Sequence, residues 1–135
     1  MFEVAKSVFP QCNISIFAGA PCDFRPKTSF KGKLKKKETL TIDLELTEDI
    51  AKFLSSKKTK EQITIGFALE EREKLLNYAK NKRLEKFFDY LVANPLDAAG
   101  KSESDYVIFT PKDLLEFKNL PKFQLAKVLF DLLGS

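Results

Sequence analysis

The order of hydrophobic and polar positions along the chain predicts strands that alternate with helices. Residues 13–20 form a short, nearly continuous apolar run that ends in Gly19 and Pro21, which is typical of a buried strand in a parallel sheet. Residues 39–47 alternate strictly between apolar and polar side chains, which predicts a strand with one face in water. Further apolar runs predict strands at residues 63–69, 88–93 and 105–109.

Helical spacing predicts three helices. The first is expected to begin with Thr47 as its N-cap, the second to run over residues 71–85, and the third to begin at Pro121. Their core-facing side chains are expected to be Ile50, Phe53 and Leu54, then Leu75, Leu76, Ala79 and Leu84, and finally Phe123, Ala126, Phe130 and Leu133. Because strands and helices alternate at short spacing, we predict a single α/β domain over residues 1–135, with a mostly parallel sheet flanked by helices.

Composition narrows the chemistry. The 135-residue chain contains no histidine, which excludes Ser-His-Asp triads, Cys-His nucleophiles and His-ligated zinc. Its net charge of +4 is too small to indicate a nucleic-acid partner. Cys12 and Cys22 lack CxxC spacing, so no metal site is predicted on this chain. No apolar run approaches the roughly 18 residues of a membrane span, and we expect a cytoplasmic protein without a membrane partner.

The segments that follow predicted strands are the first candidates for a binding site, because ligands of α/β sheets lie beyond the carboxyl ends of strands. Residues 18–26 combine small residues with Asp23, and residues 66–71 carry Phe67. A turn of small residues beside an acid and an aromatic ring suits the ribose and base of a nucleotide. The alternatives are an Asx turn at Asp23, before Pro26, and a core position for Phe67.

Lysines are concentrated in two places. Residues 22–38 show no periodicity and predict a long solvated loop, in which residues 27–37 include lysines but no acid. A polyanion near this loop would meet a strong positive field, although an ordinary solvated loop is the alternative. Lys82 and Lys86 are four residues apart and share a helix face, where they could hold phosphates or simply face water.

Six motifs occur in order along nearly the whole chain. They are Ala-x-Ala-x-x-Asp-Phe-Arg-Pro at residues 18–26, Lys-x-Lys-Lys at 33–36, Asp-Ile at 49–50, Gly-Phe-Ala-x-Glu at 66–70, Lys-x-x-x-Lys at 82–86 and Asp-x-Leu-Val-Ala-Asn at 89–94. Together they resemble phosphopantothenoylcysteine synthetase (phosphopantothenate-cysteine ligase), the ligase part of the bifunctional pantothenate flavoprotein of coenzyme A biosynthesis. Their order and separations make this resemblance far more specific than any one motif.

The resemblance implies a Rossmann-like ligase that activates the carboxylate of 4'-phosphopantothenate with CTP and Mg²⁺ and then joins it to the amine of cysteine. It implies that Asp23 lies near the ribose or metal, and that Lys33 contacts the triphosphate from a mobile loop as the catalytic lysine. Lys37 is expected to matter little. The remaining nucleotide-binding residues implied by the resemblance are Glu48, Asp49, Ile50 and Ala51 in one turn, Phe67 at the base, and Lys82 and Lys86 at the phosphates.

The sequence also departs from the family pattern. Pro21 and Cys22 replace the usual Val-Ala, Glu48 stands where Pro is common, and Leu69 replaces an Ala, so CTP and ATP both remain open as substrates. No segment matches the family's Gly-rich turn or its Asn-x-Ser-Ser-Gly stretch. The resemblance therefore implies the C-terminal half of the ligase domain, truncated at the N-terminal side and inactive alone.

The same resemblance implies partners for this chain, and one other interpretation competes with it. The missing N-terminal half of the ligase and a second copy of the chain are the implied protein partners, and no FMN is expected. The alternative is a non-catalytic nucleotide-binding, anion-binding or assembly module that keeps this fold without the reaction.

Overall fold

A computed structural model describes residues 1–36, 39–98 and 100–134, so Lys37 lies outside the described residues. Its strands are β1 (Ile14–Phe17), β2 (Phe24–Pro26), β3 (Leu44–Leu46), β4 (Ile63–Glu70), β5 (Tyr90–Pro95), β6 (Glu103–Phe109) and β7 (Leu114–Pro121). Within this part of the chain, five strands form one sheet in the order β1-β4-β5-β6-β7. The pairs β1–β4 and β4–β5 are parallel, whereas β6 runs antiparallel to both of its neighbours. The predicted mostly parallel α/β sheet is confirmed.

The helices are α1 (Phe2–Val8), α2 (Ile50–Ser55), α3 (Leu75–Glu85) and α4 (Lys122–Leu133). Side chains alternate across β5, so that Leu91 and Ala93 belong to the buried cluster on one face and Val92 to the cluster on the other. The first cluster includes Leu75 and Ala79 of α3, and the second includes residues of α4. The sheet is therefore covered by a helix on each face.

The predicted strand at residues 39–47 is wrong in extent and in place. Only Leu44–Leu46 is a strand, and it pairs with β2, which lies inside the stretch predicted to be loop. This two-stranded ribbon is separate from the main sheet. The alternating apolar residues are all exposed, namely Leu40, Ile42, Leu44 and Leu46. Alternation predicted a strand with one buried face, but nothing in the described part of the chain covers that face.

Helix α2 begins later than predicted. Its N-cap is Asp49, whose carboxylate accepts a 3.0 Å hydrogen bond from the backbone N–H of Lys52. Thr47, the predicted N-cap, instead donates its hydroxyl hydrogen to the carbonyl of Cys22 at 2.6 Å. Asp49 forms the cap because a carboxylate three residues before Lys52 can reach its N–H, whereas the Thr47 hydroxyl is already bonded to Cys22, just before β2.

The second and third predicted helices, α3 and α4, lie close to their predicted positions in the chain. Several of the side chains predicted to face the core are nevertheless exposed. α3 begins at Leu75 rather than residue 71, and Leu76 and Leu84 are exposed. α4 follows Pro121 as predicted, but Phe123 and Phe130 of the expected stripe are 74% and 65% exposed. Its buried residues are Leu125 and Leu129. The face that carries Leu125 and Leu129 is as apolar as the neighbouring face that carries Phe123 and Phe130. Helical spacing alone therefore did not identify which face is buried.

Two further elements were not predicted. Helix α1 packs on α2, with the rings of Phe2 and Phe53 5.0 Å apart. Strand β7 completes the sheet beside β6. Among the described residues, no helix has the length and apolar character needed to cross a membrane.

Strand β1 lies at the sheet edge and is not the buried strand that its apolar run predicted. Within the described chain it pairs only with β4, and Ile16 is 51% exposed. A groove of about 380 Å³ lies between this edge and α4, lined mainly by Ile16, Ile65, Phe67, Leu125, Leu129 and Phe130. An open strand edge beside an apolar groove is a surface that folded proteins normally cover.

Candidate functional site

A large cleft lies where the parallel strands end. It has a volume of about 930 Å³ and is lined by the chain that leaves β1, by the end of β4 and by Asn94 of β5. The turn between β3 and α2 forms another wall, and α3 contributes Lys82. This is the position expected of a ligand site in an α/β sheet, because parallel strands present their carboxyl ends at one edge.

Most of the residues singled out in the sequence meet in this cleft. Those that line it are Asp23, Glu48, Asp49, Ile50, Ala51, Phe67, Lys82 and Lys86. Lys33 is exposed and lies outside the cleft lining. The structure thus brings together eight of the nine predicted nucleotide-binding residues from four segments of the chain.

The ribbon holds two of the cleft walls together. Thr47 donates its backbone N–H to the carbonyl of Asp23 at 2.8 Å, and its hydroxyl bonds the carbonyl of Cys22. Arg25 and Glu45 form a 2.8 Å ion pair across the same ribbon. The side-chain bond of Thr47 fixes the turn that follows it, so the Glu48 turn and the Asp23 segment have a defined separation.

Lys86 and Asp49 form an ion pair across the cleft wall. The ammonium lies 3.0 Å from Oδ2 of Asp49, while Oδ1 of the same carboxylate caps α2. Partial burial acts to raise the pKa of Asp49, but the Lys52 N–H and the Lys86 ammonium lower it below its ordinary value. Asp49 therefore stays ionised at neutral pH, and Lys86 already has a charge partner.

Lys82 has different surroundings. Its ammonium donates a 2.9 Å hydrogen bond to the carbonyl of Phe67, and in the described residues no carboxylate forms an ion pair with it. Burial lowers the pKa of Lys82, and the nearby Lys86 lowers it further, against the opposing charges of Asp49 and Asp23. An anion that entered the cleft would stabilise this ammonium, so Lys82 is the better placed of the two lysines to bind one.

The aromatic part of the site differs from the prediction. The side chain of Phe67 packs against the buried cluster on the α4 side of the sheet, while its carbonyl faces Lys82. Four other aromatic residues line the cleft and were not predicted as site residues, namely Phe17, Phe24, Tyr78 and Phe88. Tyr78 precedes Lys82 by four residues, so helical spacing could have identified it.

The sheet and the position of the cleft define an α/β protein of the Rossmann-like class. Over residues 1–135, the chain matches the family described as DNA/pantothenate metabolism flavoprotein C-terminal domain, and it belongs to that family. The resemblance identified from its motifs is thereby confirmed.

Individual relatives agree with this assignment. The chain is 32% identical over 135 residues to the Coenzyme A biosynthesis bifunctional protein CoaBC of Borreliella burgdorferi, which covers 98% of this chain and 35% of that protein. It is 35% identical over 129 residues to a Cysteine/Cysteine sulfinic acid decarboxylase of an unknown prokaryotic organism, covering 93% of this chain and 34% of that protein. The chain thus spans about a third of the length of these relatives.

A solved structure shows the same fold. The crystal structure of the C-terminal domain of the Coenzyme A biosynthesis bifunctional protein CoaBC superimposes with a TM-score of 0.75 and 26% sequence identity. The match covers 98% of this chain but 58% of that one. A considerable part of that domain therefore has no counterpart in these 135 residues.

Proposed function

We propose that this domain supplies the nucleotide site of a phosphopantothenate-cysteine ligase in coenzyme A biosynthesis, acting in the cytoplasm. The observation that carries the proposal is the convergence of motif residues from four segments on one cleft, where the half-buried ammonium of Lys82 has no carboxylate partner among the described residues. Family membership supports the same assignment. The substrates are 4'-phosphopantothenate, CTP and cysteine.

The reaction proceeds in two displacement steps. A carboxylate oxygen of 4'-phosphopantothenate attacks the α-phosphorus of CTP, and pyrophosphate leaves. The amine of cysteine then attacks the acyl carbon of the resulting acyl-cytidylate, forms the amide and releases CMP and a proton. Neither step requires imidazole, because positioning and neutralisation of the leaving pyrophosphate lower the barrier. The absence of histidine is therefore compatible with this chemistry.

The positions of the cleft residues support the following proposed roles. Lys82 and Lys86 hold phosphates, and the turn of Glu48, Asp49, Ile50 and Ala51 offers backbone groups to the nucleotide. Asp23 also lines the cleft, and its carboxylate is suited to the ribose or to a metal-bound phosphate. Phe67 contributes its backbone, because its carbonyl holds the Lys82 ammonium while its ring packs against the buried cluster on the α4 side.

Magnesium would be bound mainly through the nucleotide. The described residues contain no group of three or more His, Cys, Asp or Glu side chains that could hold a metal ion by themselves. Asp23 is the acid best placed to add one ligand to an ion already bound by phosphate oxygens, which Mg²⁺ favours. The ion would neutralise charge on the departing pyrophosphate.

The first expected result is stabilisation by nucleotide. CTP with Mg²⁺ at about 100 times its Kd should raise the free energy of unfolding by about 2.7 kcal/mol, because only the folded chain has the cleft. Thermal unfolding with and without ligand measures this change. Lys82→Met should reduce the shift at the same CTP concentration. If neither CTP nor ATP at millimolar concentration stabilises the protein, the nucleotide-site assignment is wrong.

Lys33 provides a second prediction. Lys33→Ala should weaken triphosphate binding roughly 10- to 100-fold and monophosphate binding much less, since a charge-assisted contact contributes about 1.5–3 kcal/mol. The contact requires the loop to move, because Lys33 lies outside the cleft lining. Calorimetric titration with CTP and CMP measures both affinities. Lys127→Ala removes an exposed lysine from α4 and is the matched control. Equal losses in both variants would mean that diffuse charge governs binding.

A non-catalytic anion-binding or assembly module remains the second candidate. The position of Lys33 favours it, because the lysine implied to be catalytic does not reach the cleft in this structure. Under this alternative, tripolyphosphate should bind as tightly as CTP, since the cleft would recognise charge without a base. A preference of more than 10-fold for CTP over tripolyphosphate would favour the ligase, and competition between CTP and ATP would identify the base.

An exposed apolar face on the ribbon supports the expected homodimer. Its apolar residues Leu44 and Leu46 are 56% and 72% exposed, and Phe24 beside them is 55% exposed. A second copy of the chain that covered this face would remove the apolar surface from water. In sedimentation, we expect the unmodified chain to be a dimer and the Leu46→Asp variant to be a monomer.

A further inference from the structure

The two cleft lysines differ in what holds their ammonium groups. Lys86 is paired with the Asp49 carboxylate, whereas Lys82 is held by the Phe67 carbonyl and lies over the ring of Tyr78. The distance from Nζ of Lys82 to the centroid of that ring is 5.6 Å. Tyr78 also lines the cleft and is 41% exposed, so its ring and the Lys82 ammonium belong to the same open site.

We propose that Tyr78 is a positioning residue that holds the ammonium of Lys82 in place to bind the phosphates of the nucleotide. The inference rests on the proposed function for the identity of the anion, but its geometry does not depend on it. The negative face of an aromatic ring attracts a cation within about 6 Å of its centroid. In an α-helix, residues four apart stack on one face, so α3 itself sets this arrangement.

A ring suits this task better than a carboxylate. A carboxylate such as Asp49 neutralises its lysine and competes with an incoming phosphate, whereas a ring carries no net charge. The ring also accepts no strong hydrogen bond, so two of the three ammonium hydrogens of Lys82 remain available after the bond to Phe67. Tyr78 can therefore restrict where the ammonium lies and leave its charge for the ligand.

The position also bears on protonation of Lys82. Burial lowers the pKa of this lysine, Lys86 adds repulsion, and Asp49 and Asp23 oppose both. An aromatic face adds a further favourable contact to the charged form. Replacing Tyr78 by an aliphatic residue should thus lower the pKa of Lys82 further, even without any ligand.

The test compares Tyr78→Phe, which keeps the ring face, with Tyr78→Leu, which removes it. Both are measured alone and with Lys82→Met, by calorimetric titration with CTP and Mg²⁺. We expect Tyr78→Leu to weaken binding roughly 3- to 10-fold and Tyr78→Phe to leave it unchanged. With Lys82→Met present, Tyr78→Leu should have no further effect, because its partner is absent. A pH titration of Lys82 by NMR in the free protein should show a lower pKa in Tyr78→Leu only.

Each contrary outcome is distinct. If Phe and Leu at position 78 weaken binding equally, the hydroxyl and not the ring acts. If Tyr78→Leu still weakens binding in the Lys82→Met protein, Tyr78 contacts the nucleotide directly and does not act through Lys82. Either result overturns the proposal. If the unmodified protein binds no nucleotide, the proposed function fails, while the NMR titration still decides whether the ring holds Lys82.

Discussion

A polypeptide of residues 1–135 is expected to release no measurable pyrophosphate from CTP, 4'-phosphopantothenate and cysteine, and to gain this activity when the rest of a ligase domain is added. The activating step needs the carboxylate held about 3–3.5 Å from the α-phosphorus, and a misplacement of about 1 Å can cost 100-fold in rate. The described cleft gathers the residues proposed for the nucleotide, but the match to a solved domain of this family covers only 58% of that chain. Pyrophosphate release, measured with and without the added part, tests the expectation.

The groove beside β1 is where the added part should bind. It offers an open strand edge and an apolar lining, and it shares Phe67 and Asn94 with the cleft. A segment bound there would contact residues that also line the proposed nucleotide cleft, so it could bring an acceptor substrate next to that cleft. The groove therefore explains how the two parts could form one active site.

A charge in the groove should block complementation. Phe130→Asp places a carboxylate in the apolar lining and should weaken association by about 2 kcal/mol, or roughly 30-fold. Phe123→Asp is the matched control, since Phe123 lies on the same helix, is more exposed and does not line the groove. Turnover by residues 1–135 alone, or equal complementation by both variants, would contradict the two-part site.

The sequence correctly predicted the strands that are buried on both faces of the sheet. β4, β5 and β6 have apolar runs, and both of their faces are covered, so the hydrophobic pattern alone identified them. The ribbon and the edge strand β1 were assigned wrong environments because burial depends on what covers a face. Alternation in residues 39–47 specifies a strand but not its partner. β7 was missed because Leu114–Pro121 has polar residues and a proline mixed into a weak alternation.

For the candidate site, the sequence predicted which segments meet in the cleft but not how their side chains are oriented. The rule that ligands lie beyond parallel strand ends, together with the motifs, brought Asp23, the Glu48 turn and Lys82 to one cleft. What sequence could not supply was orientation. Phe67 lies in the cleft wall, but its side chain packs against the opposite cluster because odd and even positions of β4 face opposite sides of the sheet. The same alternation puts Gly66 on the α3 side, facing Phe88.

Gly66→Ala is expected to destabilise the fold by about 2–3 kcal/mol. A Cβ at this buried position would lie 2.2 Å from Cε2 and 2.3 Å from Cδ2 of Phe88, far inside van der Waals contact. The ring cannot move away freely, because Phe88 is itself buried and packs 5.6 Å from the ring of Phe17. Overpacking of this kind typically costs about 1–3 kcal/mol, which is a large part of the stability of a small domain. Urea unfolding measures the change.

Two further variants test whether the contact between position 66 and Phe88 causes the loss of stability. Gly19→Ala should change stability by less than about 0.5 kcal/mol, because a Cβ there meets nothing within 4 Å. Phe88→Ala alone should cost about 3–5 kcal/mol through the cavity it leaves. Adding Gly66→Ala to Phe88→Ala should then cost little more, since the new methyl group enters the space that the ring vacated and the clash is gone. If the two losses simply add, the ring of Phe88 does not pack on Gly66, and the floor of the cleft is arranged differently.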